Sequence, residues 1–349
     1  MSAFQGKLRC GGVIIVILRF FLRRKICLNW LCARCASAQL AGIEGMKVVI
    51  TGANSAVGQA ILRCGSELAE APNTLIAAVR SDRAADKIRP LLSKECAAVQ
   101  ISYEAPDTLD AAFEGASAVI HLAGILFERP GSTYEQANVA PARSVVDAAK
   151  RCRTEKFVLV SATGADEKSS NRYYRTKGQA EGLVRASGLC YTILRAPLLL
   201  GPGTEGAAGL ERNASRGRAK LIGGGRNLQQ PLYVDDLARA AIVATQPSVA
   251  SNRTLDMVGP VSLPDRELVE RAARLLGHQV RISWIPKGML SFVLAIRQRI
   301  SGPGFSPDAL EVITADTHLD PQPAARELGI QLTGIDEMIK NSLGQGRKR

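Results

Sequence analysis

The sequence predicts an α/β fold: a doubly wound parallel sheet followed by a smaller α/β lobe at the C-terminal end. Two observations carry that expectation. From Met46 onward, short apolar runs rich in β-branched residues alternate with amphipathic stretches, recurring every 25 to 40 residues. That rhythm belongs to a parallel sheet covered on both faces and argues against all-helical and all-β folds. The first run, VVIT at 48–51, also stops abruptly at Gly52 and leads through Gly58 into a helix-like run.

The elements follow in order. TLIAAV at 74–79 reads as strand two, residues 84–93 as a helix and residues 97–102 as strand three. A short helix at 108–114 leads to strand four, AVIHL at 118–122, and a long helix is expected at 134–152. FVLVS at 157–161 makes strand five, 173–186 the next helix and 191–194 strand six. After Pro197 the texture changes. GPG at 201–203 and GGG at 223–225 interrupt the rhythm, and 254–258 reads as a last strand returning to the sheet. Helices are expected at 268–276 and 290–300, with one more within 306–343. The expected organisation is a basic, apolar extension at 1–45, a dinucleotide-binding domain at 46–260, and a small substrate or partner lobe at 261–349, to which 200–228 partly contributes.

Apolar content of 46% and charged content of 22% describe an ordinary globular chain. The net charge of +13 is unevenly placed: residues 1–43 hold seven basic residues and no acid, leaving 38 basic against 32 acidic residues after them. Aromatic residues make up only 5% and do not interleave with basic patches, which argues against a nucleic-acid surface. For the extension three readings compete: a mitochondrial presequence, a membrane-surface anchor, or translated upstream sequence, since Met46 opens strand one. Four of the eight cysteines fall in it, including Cys32 and Cys35, which lack two further ligands for a zinc site. Cys64, Cys96, Cys152 and Cys190 read as buried thiols of a reducing compartment. The expected location is cytoplasmic, at the inner face of a membrane if the chain is anchored, or mitochondrial in a eukaryote.

The turn at 51–58, TGANSAVG, has the arrangement that cradles a dinucleotide pyrophosphate. Gly52 permits the tight turn, Gly58 lets helix and strand pack closely, and the first N–H groups of the helix face the phosphates. Ser55 stands where the middle glycine is usual. At the end of strand two, where the adenosine ribose lies, Arg80 favours the 2′-phosphate of NADP(H), while Asp82 keeps NAD(H) open. Tyr173 and Lys177, four apart at the start of a helix, share one face. A lysine ammonium there stabilises the phenolate and makes Tyr173 a proton donor or acceptor near neutral pH. His121 is expected in the wall of the cofactor pocket, Asp235 and Asp236 as an N-cap and a first-turn acid, and 223–225 as a simple turn.

These residues together resemble the short-chain dehydrogenase/reductase superfamily, in its extended and atypical branches, over about residues 46–345. The matching pieces are TGANSAVG, HLAG at 121–124, Asn138, YYRTK at 173–177 and QPLYVDDLA at 230–238. SATGADEKSSNRYYRTKGQAE at 161–181 and LIGGGRNLQQPLYVDD at 221–236 look most like the group of the nucleotide-binding accessory subunit of respiratory complex I. The resemblance implies a Rossmann sheet, bound NADP(H) and a C-terminal substrate lobe. It implies that Gly52, Asn54, Ser55, Ala56, Val57 and Gly58 hold phosphates, that Leu122, Ala123, Gly124 and Asn138 line the cofactor, and that Pro197 lies by the nicotinamide. The usual Arg-Pro order reads Arg195-Ala196-Pro197 here.

One departure matters. The hydroxyl that polarises a substrate carbonyl in active members falls at Ala162, with Ser161 and Thr163 flanking it as substitutes out of register. Two functions from different classes therefore stand. One is an oxidoreductase or epimerase-like enzyme using Tyr173 and Lys177 on a small hydroxyl or carbonyl substrate. The other is a non-catalytic or weakly active nucleotide-binding scaffold linked to a respiratory complex or quinone pathway. A sensor of the NADP(H) ratio is a third reading, and it would need differential affinity for the two redox forms. The basic extension and the amphipathic stretch 290–299 would suit membrane association.

Overall fold

The computed structural model describes residues 46–65, 74–94, 96–301 and 304–343. The readings of the extension, its cysteine pair and the basic tail lie outside them. The seven-stranded sheet runs β11-β6-β5-β4-β1-β2-β3, every neighbouring pair parallel. Its strands are β1 Lys47–Thr51, β2 Thr74–Val79, β3 Cys96–Gln100, β4 Ala118–His121, β5 Lys156–Ala162, β6 Cys190–Ala196 and β11 Arg253–Asp256. The order reverses between β1 and β4, and the crevice outside the carboxyl ends of strands at such a reversal is where ligands bind.

Alternation along each strand sends side chains to opposite faces. Val48 and Ile50 pack with α1 (Ala56–Cys64) and α7 (Val234–Val243). Val49 packs on the other face with α3 (Pro106–Phe113) and α4 (Ala140–Arg151). Both faces of the central strands are largely apolar, so these strands read as nearly continuous hydrophobic runs. Between β2 and β3 lies α2 (Asp82–Ile88), and between β5 and β6 lies α5 (Arg172–Arg185).

The helix expected from 134 does not start as an α-helix. Glu135–Val139 form a π-turn and α4 begins at Ala140. Pro141 explains the break, because it cannot donate to the carbonyl four residues back.

A third apolar cluster joins Leu200, Leu210, Leu268, Ala272 and Met338. It is built by β7 (Leu199–Leu200), α6 (Glu205–Ala214), β8 (Arg218–Ile222), α8 (Asp265–Leu275) and α12 (Ile335–Ser342). Short strands β9 (Leu228–Gln229), β10 (Leu232–Tyr233), β12 (Leu263–Pro264) and β13 (Arg281–Ile285) trim it, and α9 spans Lys287–Ser301. Instead of one helix within 306–343 there are three: α10 (Pro307–Thr314), α11 (Gln322–Glu327) and α12. Pro321 caps α11 and Gly329, at φ +62°, follows its end, so no single helix continues. Of the four described cysteines, Cys64 and Cys96 are buried, whereas Cys152 and Cys190 are only half-buried, and none forms a disulfide.

Candidate active site and dinucleotide crevice

At the carboxyl end of β1, Gly52 adopts φ +78°, a region that favours glycine. A Cβ on Gly58 would come within 2.4 Å of the Ala53 oxygen, so only glycine lets α1 approach the turn this closely. Ser55 needs no unusual backbone: at φ −69° it is the N-cap of α1, and its hydroxyl accepts from the Gly58 N–H at 3.1 Å. The N–H groups of Ala56 and Val57, first in the helix, are left without an intrahelical acceptor. The missing middle glycine is thus a capping serine, and the turn keeps its shape.

Leu122, Ala123 and Gly124 leave β4 beside that turn. The Leu122 N–H donates to the Thr51 oxygen, and a Cβ on Gly52 would meet the Ala123 nitrogen at 3.3 Å. Asn138, carried inward by the π-turn and buried, accepts from the Ile125 N–H at 2.9 Å and donates to Thr176 Oγ1 at 3.0 Å. A Cβ on Gly124 would lie 3.1 Å from Asn138 Oδ1 and 3.5 Å from Lys177 Nζ. Gly124, Asn138 and Lys177 therefore converge from three elements on one spot.

The α5 helix carries the Tyr–Lys pair. Asn171 caps it, its Oδ1 accepting from the N–H groups of Tyr173 and Tyr174. Lys177 Nζ donates to the Val160 oxygen at 3.0 Å. Burial holds the Lys177 ammonium down to about 8, against the pull of the Glu181 carboxylate. The Tyr173 phenol differs from the expectation. Burial, with Tyr174 and Tyr134 beside it, pushes it well above its ordinary value. The desolvated phenol prefers its neutral form, and Lys177 is turned to a main-chain oxygen instead.

Beside Tyr173 opens a cleft of about 390 Å³ whose wall includes Ala162, Thr163, Tyr174 and Pro197. Leucines from β7 and from α6 and α8 make the rest of it largely apolar. Of the three residues at the end of β5, Ala162 and Thr163 line the cleft and Ser161 does not. The Ser161 hydroxyl is buried with no well-aligned partner, within reach of the Glu181 carboxylate, which it helps hold below the usual range.

Arg80 leaves the end of β2 exposed, its guanidinium 5.8 Å from the centre of the Tyr103 ring. Asp82 is a first-turn acid of α2, behind the N-cap Ser81. Sequence reading missed Lys87, whose Nζ donates to the Asn54 oxygen at 3.2 Å and adds a second cation beside the turn. Its signal was available: Lys87 lies four residues after Arg83 on one helix.

Two expectations are corrected. His121 does not wall the crevice; it is fully buried between Tyr103 and Phe157, with Nδ1 2.7 Å from Thr51 Oγ1. Burial lowers its imidazole to about 3, so it stays neutral. Asp235 is no N-cap, because Tyr233 takes that position and both acids sit in the first turn of α7. Asp235 pairs with Arg63, and Asp236 accepts from Thr333 and Arg239.

Residues 52–221 match the model of an NAD(P)H-binding family. Over 239 residues the chain is 28% identical to a ceramide reductase of Caulobacter vibrioides, covering 68% of this chain and 73% of that one. It is 24% identical over 299 residues to mitochondrial NADH dehydrogenase (ubiquinone) 1 alpha subcomplex subunit 9 of Arabidopsis thaliana, covering 82% and 74%. Among solved structures, UDP-glucuronic acid 4-epimerase from Bacillus cereus, in complex with UDP-glucuronic acid and NAD, superposes with a TM-score of 0.67 at 17% identity, over 85% of this chain and 98% of that one. The sheet order and crevice define a Rossmann-fold protein with an NAD(P)H-binding domain. The relatives it resembles include a subunit of respiratory complex I.

Proposed function

We propose that this protein is an NADP(H)-dependent reductase of a carbonyl compound with an extended apolar portion. The observation that carries this reading is the convergence of Gly124, Asn138 and Lys177, with Tyr173, one helical turn before Lys177, in the wall of an apolar cleft. The residues fit a nicotinamide dinucleotide: Gly58 keeps α1 against the turn, and Arg80 and Lys87 place positive charge where a 2′-phosphate would be held. When bound, that group supplies or accepts hydride. The chain's own part is the proton. A neutral Tyr173 phenol donates to the substrate oxygen as its C=O π bond breaks, and it is reprotonated from solvent through the cleft. The raised phenol stands in the protonated form that donation requires. Thr163, the only hydroxyl of the 161–163 segment in the cleft wall, is placed to polarise that oxygen. The bulky apolar substrate is inferred from the leucine-rich wall and from the relative named a ceramide reductase.

The test is a reductase screen with NADPH on amphiphilic ketones, run beside Tyr173→Phe. Turnover that falls roughly 10²-fold or more in the variant, with NADPH affinity unchanged, supports the reading. A second reading is a dinucleotide-binding scaffold attached to a respiratory assembly, favoured by Ala162 at the usual hydroxyl position and by the complex I relative. Equal, near-zero turnover in both proteins, with tight NADPH binding, would select it.

A further inference from the structure

We infer that the outer face of β13 and α9 docks on an anionic lipid bilayer. Six of the nine exposed large hydrophobic side chains among the described residues lie there: Trp284, Met289, Phe292, Val293, Ile296 and Ile300. The five on α9 follow helical spacing and share an arc of roughly 100°. Leu294, on the opposite side of α9, is 5% exposed, so the helix is anchored by that side and turns the stripe outward. Phe292 and Trp284 are each 68% exposed, far more than a monomer's surface normally concedes in one patch.

Charge chooses the occupant. The sequences of β8, β13 and α9 contain no acid. Those elements carry Arg218, Lys220, Arg281, Lys287 and Arg297, all exposed and none in an ion pair among the described residues, and Arg297 lies nearest the border of the stripe. An apolar stripe on elements that carry cations and no acid complements acyl chains bordered by anionic headgroups. A protein partner of mixed charge would be met by mixed charge. No described helix is long and apolar enough to cross a bilayer, so α9 would lie in the interfacial plane.

The placement has a consequence for the cleft. Trp284 and Ile285 pair with Leu221 and Ile222 of β8, which line it, and α9 packs on α10, whose Val312–Thr314 also line it. Docking would set the cleft wall at the membrane surface, where an amphiphile resides. The docking claim itself does not depend on the reaction proposed above.

The experiment uses the full chain carrying Trp30→Phe, which leaves Trp284 as the only tryptophan. The probes are vesicles of phosphatidylcholine alone and of phosphatidylcholine with 30% phosphatidylglycerol, each with and without brominated acyl chains. Trp284 emission is expected to shift to the blue and to be quenched by brominated anionic vesicles, weakly or not at all by neutral ones, and to recover in high salt. Adding Phe292→Ser and Ile296→Ser should weaken partitioning roughly tenfold or more while thermal melting and NADPH binding stay as they were. Because the basic extension could hold vesicles by itself, co-sedimentation is recorded alongside but the local quenching decides. Vesicle binding without quenching of Trp284, or equal quenching by neutral vesicles, overturns the inference. So does a concentration-dependent dimer that shields Trp284 without lipid, which would assign the face to a second copy of this chain.

Discussion

Lys177 Nζ donates to the Val160 oxygen at 3.0 Å, tying the helix of the Tyr–Lys pair to the end of β5. One turn further along α5, the buried Glu181 carboxylate accepts from both Arg185 and Arg195. The buried amine thus feels, one turn away, a buried carboxylate already claimed by two guanidiniums. Burial lowers Lys177 and the Glu181 charge partly opposes it, and the balance sets the alkaline side of any reaction here.

With Lys177 near 8, its charged form dominates at neutral pH and is lost on the alkaline side. The kcat/KM of the reductase is expected to fall with a midpoint near 8, below the usual lysine range. Stability follows the opposite sign. Between about 8 and the unfolded value of about 10.4 the unfolded chain binds more protons, so this group adds stability as pH rises through that window. Glu181→Gln removes the charge that holds Lys177 up and should move the activity midpoint lower. It also strands Arg185 and Arg195, at a cost of about 2–3 kcal/mol, moderated because both keep contact with water. A pH profile of kcat/KM and melting curves at pH 7 and 9.5 check these points. A midpoint unmoved by Glu181→Gln would refute the assignment.

The hydroxyls flanking Ala162 are predicted to differ. Thr163 lines the cleft and Ser161 does not. Thr163→Val should lower kcat by about 10²-fold, the scale of losing one donor to a developing oxyanion, whereas Ser161→Ala should spare it. Ala162→Ser restores a hydroxyl at the register usual for active members and should raise kcat. Steady-state rates of the three variants decide, and equal losses in Thr163→Val and Ser161→Ala would refute the geometric argument.

Most of the sheet was legible because its central strands are buried on both faces and are largely continuous apolar runs, as VVIT and FVLVS are. The turn was legible because Gly52 and Gly58 answer steric demands that few other residues meet. What escaped depends on tertiary contact. No local pattern tells that Pro141 forces a π-turn that swings Asn138 inward, or that Lys177 points to Val160. His121 looked like a pocket residue because its neighbours in HLAG are; strand alternation put its own side chain into the α3–α4 face. The two-residue strands of the small lobe carry too few residues to show a period at all.

Dinucleotide choice should respond to both cations, Arg80 after β2 and Lys87 on α2. Arg80→Ala and Lys87→Ala are each expected to weaken NADPH binding roughly tenfold to hundredfold, the worth of a charge-assisted hydrogen bond, and to change NADH binding far less. Calorimetric titration of the variants with both nucleotides measures this. Equal losses for NADPH and NADH would mean that these side chains support the turn, through contacts such as Lys87 to the Asn54 oxygen, without reading the 2′-phosphate.

Gly58→Ala gives the cleanest separation of fold from function at the turn. The added methyl would lie 2.4 Å from the Ala53 oxygen and 2.6 Å from its carbonyl carbon, both main-chain atoms that no rotamer can move aside. Either α1 withdraws from the sheet or the turn shifts. Withdrawal disturbs the packing of Val57, Ile61 and Ala60 against α7, and overpacking of this kind costs about 1–3 kcal/mol. Shifting the turn moves the Ala56 and Val57 N–H groups, so nucleotide affinity should fall much further than stability alone requires. Melting temperature with and without saturating NADPH separates the two. The variant is expected to unfold a few degrees earlier and to lose the stabilisation that ligand gives the native chain. Full ligand-induced stabilisation in the variant would show that the phosphates are held elsewhere than at the start of α1.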